Sequence, residues 1–570
     1  MIELRTGTAE GYISKVEPLS LSTESEVMRE VVPRTLDVFL EDAYEDKTNG
    51  IKWQYWMVML SLGVANSSDA SEILCLSYIL SDAQFQVSML QNEAWKAEML
   101  ASAVFFGMLV GGLIVGVFGD WWGRHPMLMV GLVCNSIAGI LSAFAQNVWQ
   151  LSILRCIAGL GIGATVPPLF TLVTELSPPS KRGAFITFVA SFWMVGSIFV
   201  AVAALFIMEY CQLSWRVFTV ACAVPSAIGF FMVGSLVPAS PRFLAINQRQ
   251  DEALRGANKL ALQMRYSGDI YTNEEMLYNY PSAPPQEERF AHITNTNTCV
   301  WLWKIIGVGF SDFMRSTSKV YELSLRQTTW PLQVIWFSLN FGTYGILTWI
   351  NSLFVAVHLE NVYFNALLFA ASNLPGNLLS GFLMDRTGRT CMLVTTSLGA
   401  AASLMSFAYF AAQESSDSES LNESGIVISA CVFQAFSIAA WNTIDCLTTE
   451  RFPTSVRSTG MGLCAASGRV GAMLAQIING ALVGNPVRLL LVASTSLVIA
   501  AFTPFLLPTG DFANRPLEDD VDSKCSDEDD EMVRLNQIKM NGPPEGQQPY
   551  LRVRGYQQGG GVEVNNKTIV

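Results

Sequence analysis

The sequence is poor in charge. Asp, Glu, Lys and Arg make up only 15% of its 570 residues, whereas soluble domains contain about 25%. Hydrophobic residues make up 51%, and the mean hydropathy is +0.34. This composition excludes a soluble globular protein and predicts an integral, multi-pass membrane protein. The net charge of −13 argues against nucleic acid as a partner.

The sequence also lacks the residue patterns of metal and cofactor sites. It has three histidines and eleven cysteines, and the cysteines stand singly, without a CxxC pair. No nucleophile beside a base and no nucleotide-binding loop appears, so we predict neither an enzyme nor a cofactor. The stretch MIELRTGTAEGYISK lacks the basic-then-apolar order of a cleaved signal peptide, and the first membrane span is expected to direct insertion.

Apolar runs of about 20 residues, the length that crosses a bilayer as a helix, organise the chain. They cover residues 54–80, 98–118, 127–146, 149–174, 184–208, 216–236, 331–356, 362–382, 391–412, 425–447, 459–483 and 487–507. The pattern predicts an all-α membrane protein with twelve transmembrane helices in two six-helix halves. The predicted divisions are a tail (1–53), an N-terminal half (54–237), a central loop (238–330), a C-terminal half (331–507) and an acidic, disordered tail (508–570).

Basic residues in the short loops predict the orientation. They concentrate on one side of the runs, at Arg124, Lys181, Arg182, Arg386, Arg389, Arg451 and Arg457. By the positive-inside rule, both termini and the central loop are cytoplasmic. The acidic loop 413–425 then lies on the other side, and its sequon predicts glycosylation of Asn422. Both the plasma membrane and an endomembrane vesicle are consistent with this pattern.

The two halves share two loop motifs. GVFGDWWGR and GFLMDRTGR hold three matching residues displaced by 265 positions, Asp120, Gly123 and Arg124 against Asp385, Gly388 and Arg389. A second set is displaced by 275 positions, Glu175, Pro178 and Arg182 against Glu450, Pro453 and Arg457. Charged turns are common in any multi-span protein, but matches at constant offsets favour a duplicated transporter with its site between the halves.

A carboxylate and an arginine at such turns can form a charge-assisted hydrogen bond that closes the cytoplasmic side and breaks when it opens. We therefore predict that the repeated residues form a gate. Arg155, in LRCIAGLGIG within the fourth run, is predicted to face the bundle near these loops and to pair with a carboxylate, Glu175 being nearest in sequence. The glycines that follow Arg155 predict close helix packing.

The stretch VANSSDASEILCLSYIL in the first run carries Asn66, Asp69 and Glu72. A carboxylate inside the bilayer costs at least about 2.5 kcal/mol. The spacing by three places these residues on one helix face, which we predict to line a central cavity. The alternative is structural: Asp69 or Glu72 pairs with Arg469 in the eleventh run or caps a break in the helix.

Across that cavity, we expect this polar face of the first run to lie opposite Trp441 and Asp445 of the tenth run. Trp193 and Tyr344 are the predicted aromatic partners. Carboxylates beside aromatic faces suit a cation or a zwitterion. Carboxylates removed from water are also the groups that proton coupling requires. The alternative for Trp193 and Tyr344 is a purely structural role in helix packing.

The paired loop motif of the two halves resembles that of the major facilitator superfamily. Seven further stretches are SDASEI, FWMVGS, SWRVFTVACAVPS, ASPRFL, WFSLNFGTYGILTW, LPGNLLSGFLMDRTGR and AAWNTIDCLTTERFP. Within that superfamily they resemble the branch of synaptic vesicle glycoprotein 2 and its related protein. This resemblance implies that the residues matching Trp193, Trp441 and Asp445 belong to the central ligand cavity. Trp121 and Ala239 depart from the family motifs, and the short loop near His358 leaves no room for the large luminal domain of the vertebrate glycoproteins.

These observations predict a secondary active transporter that moves a small organic ion, a cation or zwitterion, by alternating access with proton coupling. Its partners are then the substrate, protons and the bilayer. Alternatives are a receptor-like component that keeps the fold without transport, and a sugar or inorganic anion porter. The C-terminal Thr568, Ile569 and Val570 predict a cytoplasmic PDZ-type partner.

Overall fold

The computed structural model describes residues 34–46, 50, 52–91, 93–247, 249–280, 314–315, 317–413, 419–453 and 456–508. Within these ranges the elements are helices, which confirms the predicted all-α class. The N-terminal half consists of α2 (Trp53–Ser81), α4 (Ala94–Trp122), α5 (Arg124–Ser142), α6 (Val148–Leu176), α7 (Arg182–Ala204) and α8 (Trp215–Leu236). A short helix, α3 (Ala83–Phe85), follows α2 and continues as a π-helical turn, Gln86–Leu90.

The C-terminal half repeats this arrangement. It consists of α12 (Leu323–Ala356), the consecutive pair α13 (Val362–Ala371) and α14 (Asn373–Thr387), α15 (Arg389–Ala412), α16 (Glu419–Arg451), α17 (Arg457–Leu482) and α18 (Pro486–Phe502). The predicted start of this half at residue 331 falls inside α12, which begins eight residues earlier and contains Pro331. The first two turns of α12 are polar, so counting apolar residues places its start too late.

Ten segments of the described chain are long and apolar enough to cross a membrane, or eleven if the bent pair Trp53–Ser81 and Ala83–Leu90 counts as one span. The remaining long helix, α12, has polar residues among its buried positions, at Asn340, Thr343, Thr348 and Asn351. Like the polar wall of α2, these positions lie toward the interior of the bundle rather than toward lipid. Both halves thus begin with a helix that is polar on its inner side.

The repeated turns have the same backbone in both halves. Gly123 separates α4 from α5 with φ +92°, and Gly388 separates α14 from α15 with φ +81°. Only glycine adopts this conformation without strain. At Gly123 the ring of Phe243 also leaves no space, because an added Cβ would lie 2.8 Å from it.

The predicted glycine packing is present between α4 and α6. A Cβ on Gly159 would lie 2.1 Å from the Val104 carbonyl oxygen, and one on Gly163 would lie 2.2 Å from that of Met108. Small residues therefore let these two backbones touch, as in other membrane bundles.

A helical cap covers one end of the N-terminal half, the end at which α2 begins and α4, α6 and α8 finish. It consists of α1 (Leu36–Glu45), α9 (Pro241–Ile246), α10 (Gln250–Gln263) and α11 (Asn273–Asn279). Arg34 Nε lies 2.8 Å from Glu275 Oε1, and the buried Phe39 ring packs 5.0 Å from Tyr271. The predicted N-terminal tail (1–53) therefore contains a packed helix, α1, because its apolar side is buried against α10 and α11.

Candidate functional site

A cavity of about 170 Å³ lies between the two halves. The N-terminal half contributes α2, α6 and α7 to its wall, and the C-terminal half contributes α12, α16 and α17. The structure brings four of the predicted site residues together around it: Asp69, Trp193, Tyr344 and Trp441. Asn66 also lines the cavity, while its side-chain amide donates to the Val189 and Ala190 carbonyls of α7 at 3.1 and 3.3 Å.

Asp69 presents the negative charge of the N-terminal wall. It is only 1% exposed, and Thr165 Oγ1 of α6 lies 3.0 and 3.1 Å from its two carboxylate oxygens. The single hydroxyl hydrogen of Thr165 is shared with the Ile162 carbonyl oxygen at 2.7 Å, so most of the acceptor capacity of the carboxylate is unused. The carboxylate is thus held in position and can accept further donors from the cavity.

The C-terminal wall is aromatic. The rings of Tyr344 and Trp441 lie 5.6 Å apart at 64°, and those of Trp336 and Trp441 lie 5.7 Å apart at 77°. Trp441 Nε1 donates to Thr343 Oγ1 at 3.2 Å. These edge-to-face contacts are favourable geometries, and they fix two ring faces beside the cavity.

Arg469 of α17 supplies a positive charge to the same cavity. Its guanidinium carbon lies 5.6 Å from the centre of the Tyr344 ring, and its Nη1 is buried without a hydrogen-bond partner among the described residues. Its charge acts on both Asp69 and Asp445. From the sequence, Arg469 is predicted only as a structural partner of Asp69 or Glu72. The free-energy cost of placing an arginine inside an apolar run is the sequence signal that indicates a functional role for Arg469.

Glu72 does not face the cavity, which corrects the prediction of one polar face. An α-helix turns by about 100° per residue, so two steps of three place Asn66 and Glu72 about 120° apart. Glu72 instead lies inside the N-terminal half, where its Oε2 accepts from Arg155 Nη1 at 2.6 Å. Both side chains are 1% exposed.

The predicted pairing of Arg155 with Glu175 is therefore wrong. Arg155 lies between five and six turns before Glu175 on α6, which places it near the far end of α2. Glu175 has a different partner, Arg124, at 3.7 Å. Within the buried pair, Glu72 Oε1 and the Nε and Nη2 atoms of Arg155 have no hydrogen-bond partner.

Asp445 lies one turn beyond Trp441 on α16, in the direction of the cap side. It is not part of the cavity wall, and its side chain is exposed. The structure therefore places it at the approach to the cavity rather than beside Trp441 within it.

The repeated loop residues form two matching ion pairs. Arg124 Nε lies 3.7 Å from Glu175 Oε1, and Arg389 Nη2 lies 3.1 Å from Glu450 Oε1. Arg182 Nε donates to the Thr174 carbonyl at 3.0 Å, and Arg457 Nε donates to the Phe452 carbonyl at 3.2 Å. In each half, these contacts thus join the ends of neighbouring helices of that same half. The side chains of Asp120, Asp385 and Asn422 and the C-terminal residues 568–570 lie outside the part of the chain that the structure describes.

Contacts between the halves close the side opposite the cap. Asn351 Nδ2 donates to Ser77 Oγ at 3.1 Å, and the rings of Tyr78 and Tyr363 stack 6.4 Å apart at 8°.

Comparisons with known proteins agree with this architecture. The family described as "Sugar (and other) transporter" matches residues 71–518. Synaptic vesicle glycoprotein 2B of Mus musculus is 25% identical over 80% of this chain and 83% of its own, and glycoprotein 2A of Rattus norvegicus is 24% identical over 80% and 77%.

Among solved structures, the inward open xylose transporter XylE from E. coli superimposes with a TM-score of 0.60 at 16% identity, over 80% of this chain and 96% of that one. The proton:xylose symporter XylE bound to 6-bromo-6-deoxy-D-glucose gives a TM-score of 0.59 at 16% identity, over 82% and 98%. These likenesses confirm the major facilitator fold.

Proposed function

The chain belongs to the family of sugar and other transporters, and we propose that it moves a small zwitterion through the cavity between its halves by alternating access. The protein is an integral, multi-pass membrane protein, and its family supports secondary transport of a small molecule. The substrate class, the coupling ion and the orientation belong to the proposal. In it the cap is cytoplasmic and Asn422 lies on the opposite side, as the basic loops predict.

One observation carries the choice of a zwitterion: Asp69 and Arg469 face the same cavity with Tyr344 beside them. An ammonium group of the substrate would bind Asp69 and an aromatic face, and an anionic group would form charge-assisted hydrogen bonds with Arg469. A simple cation offers no acceptor to the unpartnered Nη1 of Arg469, and a neutral sugar carries no charge to set against either Asp69 or Arg469. Unpaired buried charge is strongly unfavourable.

The size of the cavity supports a small substrate. Its volume of about 170 Å³ lies below the roughly 300–1,000 Å³ of pockets that hold drug-sized ligands. A compact amino-acid-like molecule, with its two charges a few bonds apart, matches both the volume and the opposed charges.

The two sides of the bundle support alternating access. Ser77 with Asn351 and Tyr78 with Tyr363 join the halves opposite the cap, while the cap side gives access to the cavity. We assign the gating role to the repeated turns, where the pairs Arg124–Glu175 and Arg389–Glu450 hold the helix ends of each half. Closing the cap side would bring these ends together and change their partners.

Glu72 is the proposed proton site. Protonation would remove the charge that holds Arg155, and the three unpartnered polar atoms around this pair provide for a second arrangement of α2 against α6. Asp69 binds substrate on the next turn of the same helix, so movement of α2 would link the two events.

Uptake from a mixed metabolite pool into proteoliposomes, with and without a pH gradient, tests this function. We expect mass spectrometry to find a small zwitterion accumulated, more of it when the outside is acidic. Accumulation of a sugar, a simple cation or an inorganic anion would contradict the substrate class. Binding of a ligand without uptake would support the receptor-like alternative instead.

A further inference from the structure

A second opening lies on the outside of the bundle, at the seam between α4 of the N-terminal half and α17 of the C-terminal half. Its volume is about 510 Å³, and it shares no wall residue with the substrate cavity. Its wall is apolar over most of its area, from Met99 and Phe106 on α4 to Met473 and Ile477 on α17. We refer to it as the seam groove.

The seam groove lies near the membrane boundary opposite the cap. Trp95 packs on Trp149, with ring centres 6.1 Å apart. It precedes Met99, where the deeper wall of the groove begins, by four residues. Both tryptophans stand within the first two residues of their helices, α4 and α6. Tryptophan is enriched at the head-group level of a bilayer. Glu98, about 6 Å into α4 by helical rise, therefore lies just inside the boundary.

Two polar groups in the groove have no partner among the residues that the structure describes. Glu98 makes no hydrogen bond or ion pair with another described residue, and the Ser102 hydroxyl, one turn deeper, is buried without a hydrogen-bond partner. The nearby Lys96 is already bound, with Nζ 2.6 Å from Gln91 Oε1 and 3.4 Å from Glu93 Oε2. A carboxylate inside a membrane requires a partner.

The stem of Glu98 also lies across the seam. A Cβ added to Gly480 of α17 would come within 2.4 Å of Glu98 Cγ. The carboxylate is therefore presented at the junction of the two halves, above an apolar wall contributed by both.

We propose that the seam groove binds a phospholipid with a primary ammonium head group, such as phosphatidylethanolamine, from the leaflet opposite the cap. The ammonium would donate to Glu98 and to the Ser102 hydroxyl oxygen, and an acyl chain would lie along the apolar wall. A primary ammonium carries three N–H donors, as lysine does, whereas a choline head group has none. The apolar wall and its opening toward the membrane select a lipid over a soluble amine.

The full-length protein in detergent, given equal amounts of phosphatidylethanolamine and phosphatidylcholine with identical acyl chains, provides the test. After washing, mass spectrometry should find phosphatidylethanolamine enriched on the wild type. Glu98→Gln should lower its retention roughly tenfold, the effect of one hydrogen bond to a charged group, and leave phosphatidylcholine unchanged. Free ethanolamine should not displace the bound lipid.

Glu209→Gln is the matched control, because Glu209 is an exposed acid on the same membrane side and outside the groove. It should keep the wild-type ratio. Ser102→Ala, a milder change, should reduce the enrichment if Glu98→Gln fails to fold. Equal retention of both lipids by the wild type, undiminished enrichment in Glu98→Gln, or displacement by free ethanolamine would overturn the proposal.

Discussion

Arg155 and Glu72 form an ion pair of 2.6 Å inside the N-terminal half, and neither side chain is more than 1% exposed. Removing one partner of such a pair costs about 3–5 kcal/mol, whereas removing both is often neutral. Glu72→Gln should therefore lower the melting temperature strongly, and the double variant Glu72→Gln with Arg155→Met should restore it.

Transport separates this structural effect from proton coupling. The restored double variant should still exchange substrate between the two sides, but an acidic outside should no longer stimulate uptake. The measurement is pH-dependent uptake per correctly inserted molecule. A wild-type pH response in the double variant would remove Glu72 from the coupling mechanism.

The repeated ion pairs predict symmetrical gating defects. Glu450→Gln and Glu175→Gln each remove one ion pair of a loop arginine, and each should lower turnover roughly tenfold, the effect of about 1.4 kcal/mol. Substrate affinity should not change, because neither residue lines the cavity. Single-turnover uptake and equilibrium binding separate the two quantities, with the exposed Glu360→Gln as the control. Normal turnover in both variants would contradict the gate assignment.

Asp37 links the cap to the bundle, since its Oδ1 accepts from Arg182 at 3.1 Å and from Arg242 at 2.5 Å. These groups are partly exposed, so each pair contributes no more than about 1 kcal/mol. Asp37→Asn should raise hydrogen exchange in α1 without unfolding the protein. Asp42→Asn, an exposed position on the same helix, is the control, and equal exchange in both variants would show that Asp37 does not anchor the cap.

Glu275 gives the cap a pH dependence. Burial alone would raise the pKa of Glu275, but hydrogen bonds from Arg34 and Thr272 outweigh it and hold that pKa below its ordinary value. The stabilisation from this carboxylate is thus fully present above the ordinary glutamate value of about 4.3 and is lost as the pH falls through the lowered pKa.

Spin labels at Val38 and Tyr278, both exposed, report the distance between α1 and α11. This distance should stay short from pH 7 to about 4.3 and lengthen below it. In Glu275→Gln it should be longer already at pH 7. An equal, pH-independent distance in both proteins would exclude this anchor.

The sequence predicts the parts of this molecule that repeat. Gly123 and Gly388 occupy the same position in the repeated loop motif because the same positive-φ turn recurs in both halves. The length of the apolar runs alone locates nearly every membrane span. The sequence does not predict α1, whose few apolar residues become significant only when α10 and α11 cover them. Nor does it predict the start of α12, because the polar first turns precede the apolar run.

Within the site, sequence spacing locates Asp69, Tyr344 and Trp441 but misplaces Glu72. A step of three residues falls short of a full helical turn, and the error doubles over six residues. The sequence also does not predict which intramembrane arginine has a carboxylate partner. Arg155 and Arg469 are both intramembrane arginines, and only the tertiary structure shows that the first has a carboxylate partner and the second has none among the described residues.

The most direct test of the central claim is the binding of the transported zwitterion and of two analogues, one lacking its positive charge and one lacking its negative charge. Wild-type protein should bind each analogue at least about tenfold more weakly. Asp69→Asn should lose its preference for the intact ammonium, and Arg469→Gln its preference for the intact anion, each without affecting the other. Equal discrimination among the three ligands by both variants and the wild type would show that Asp69 and Arg469 do not hold the substrate.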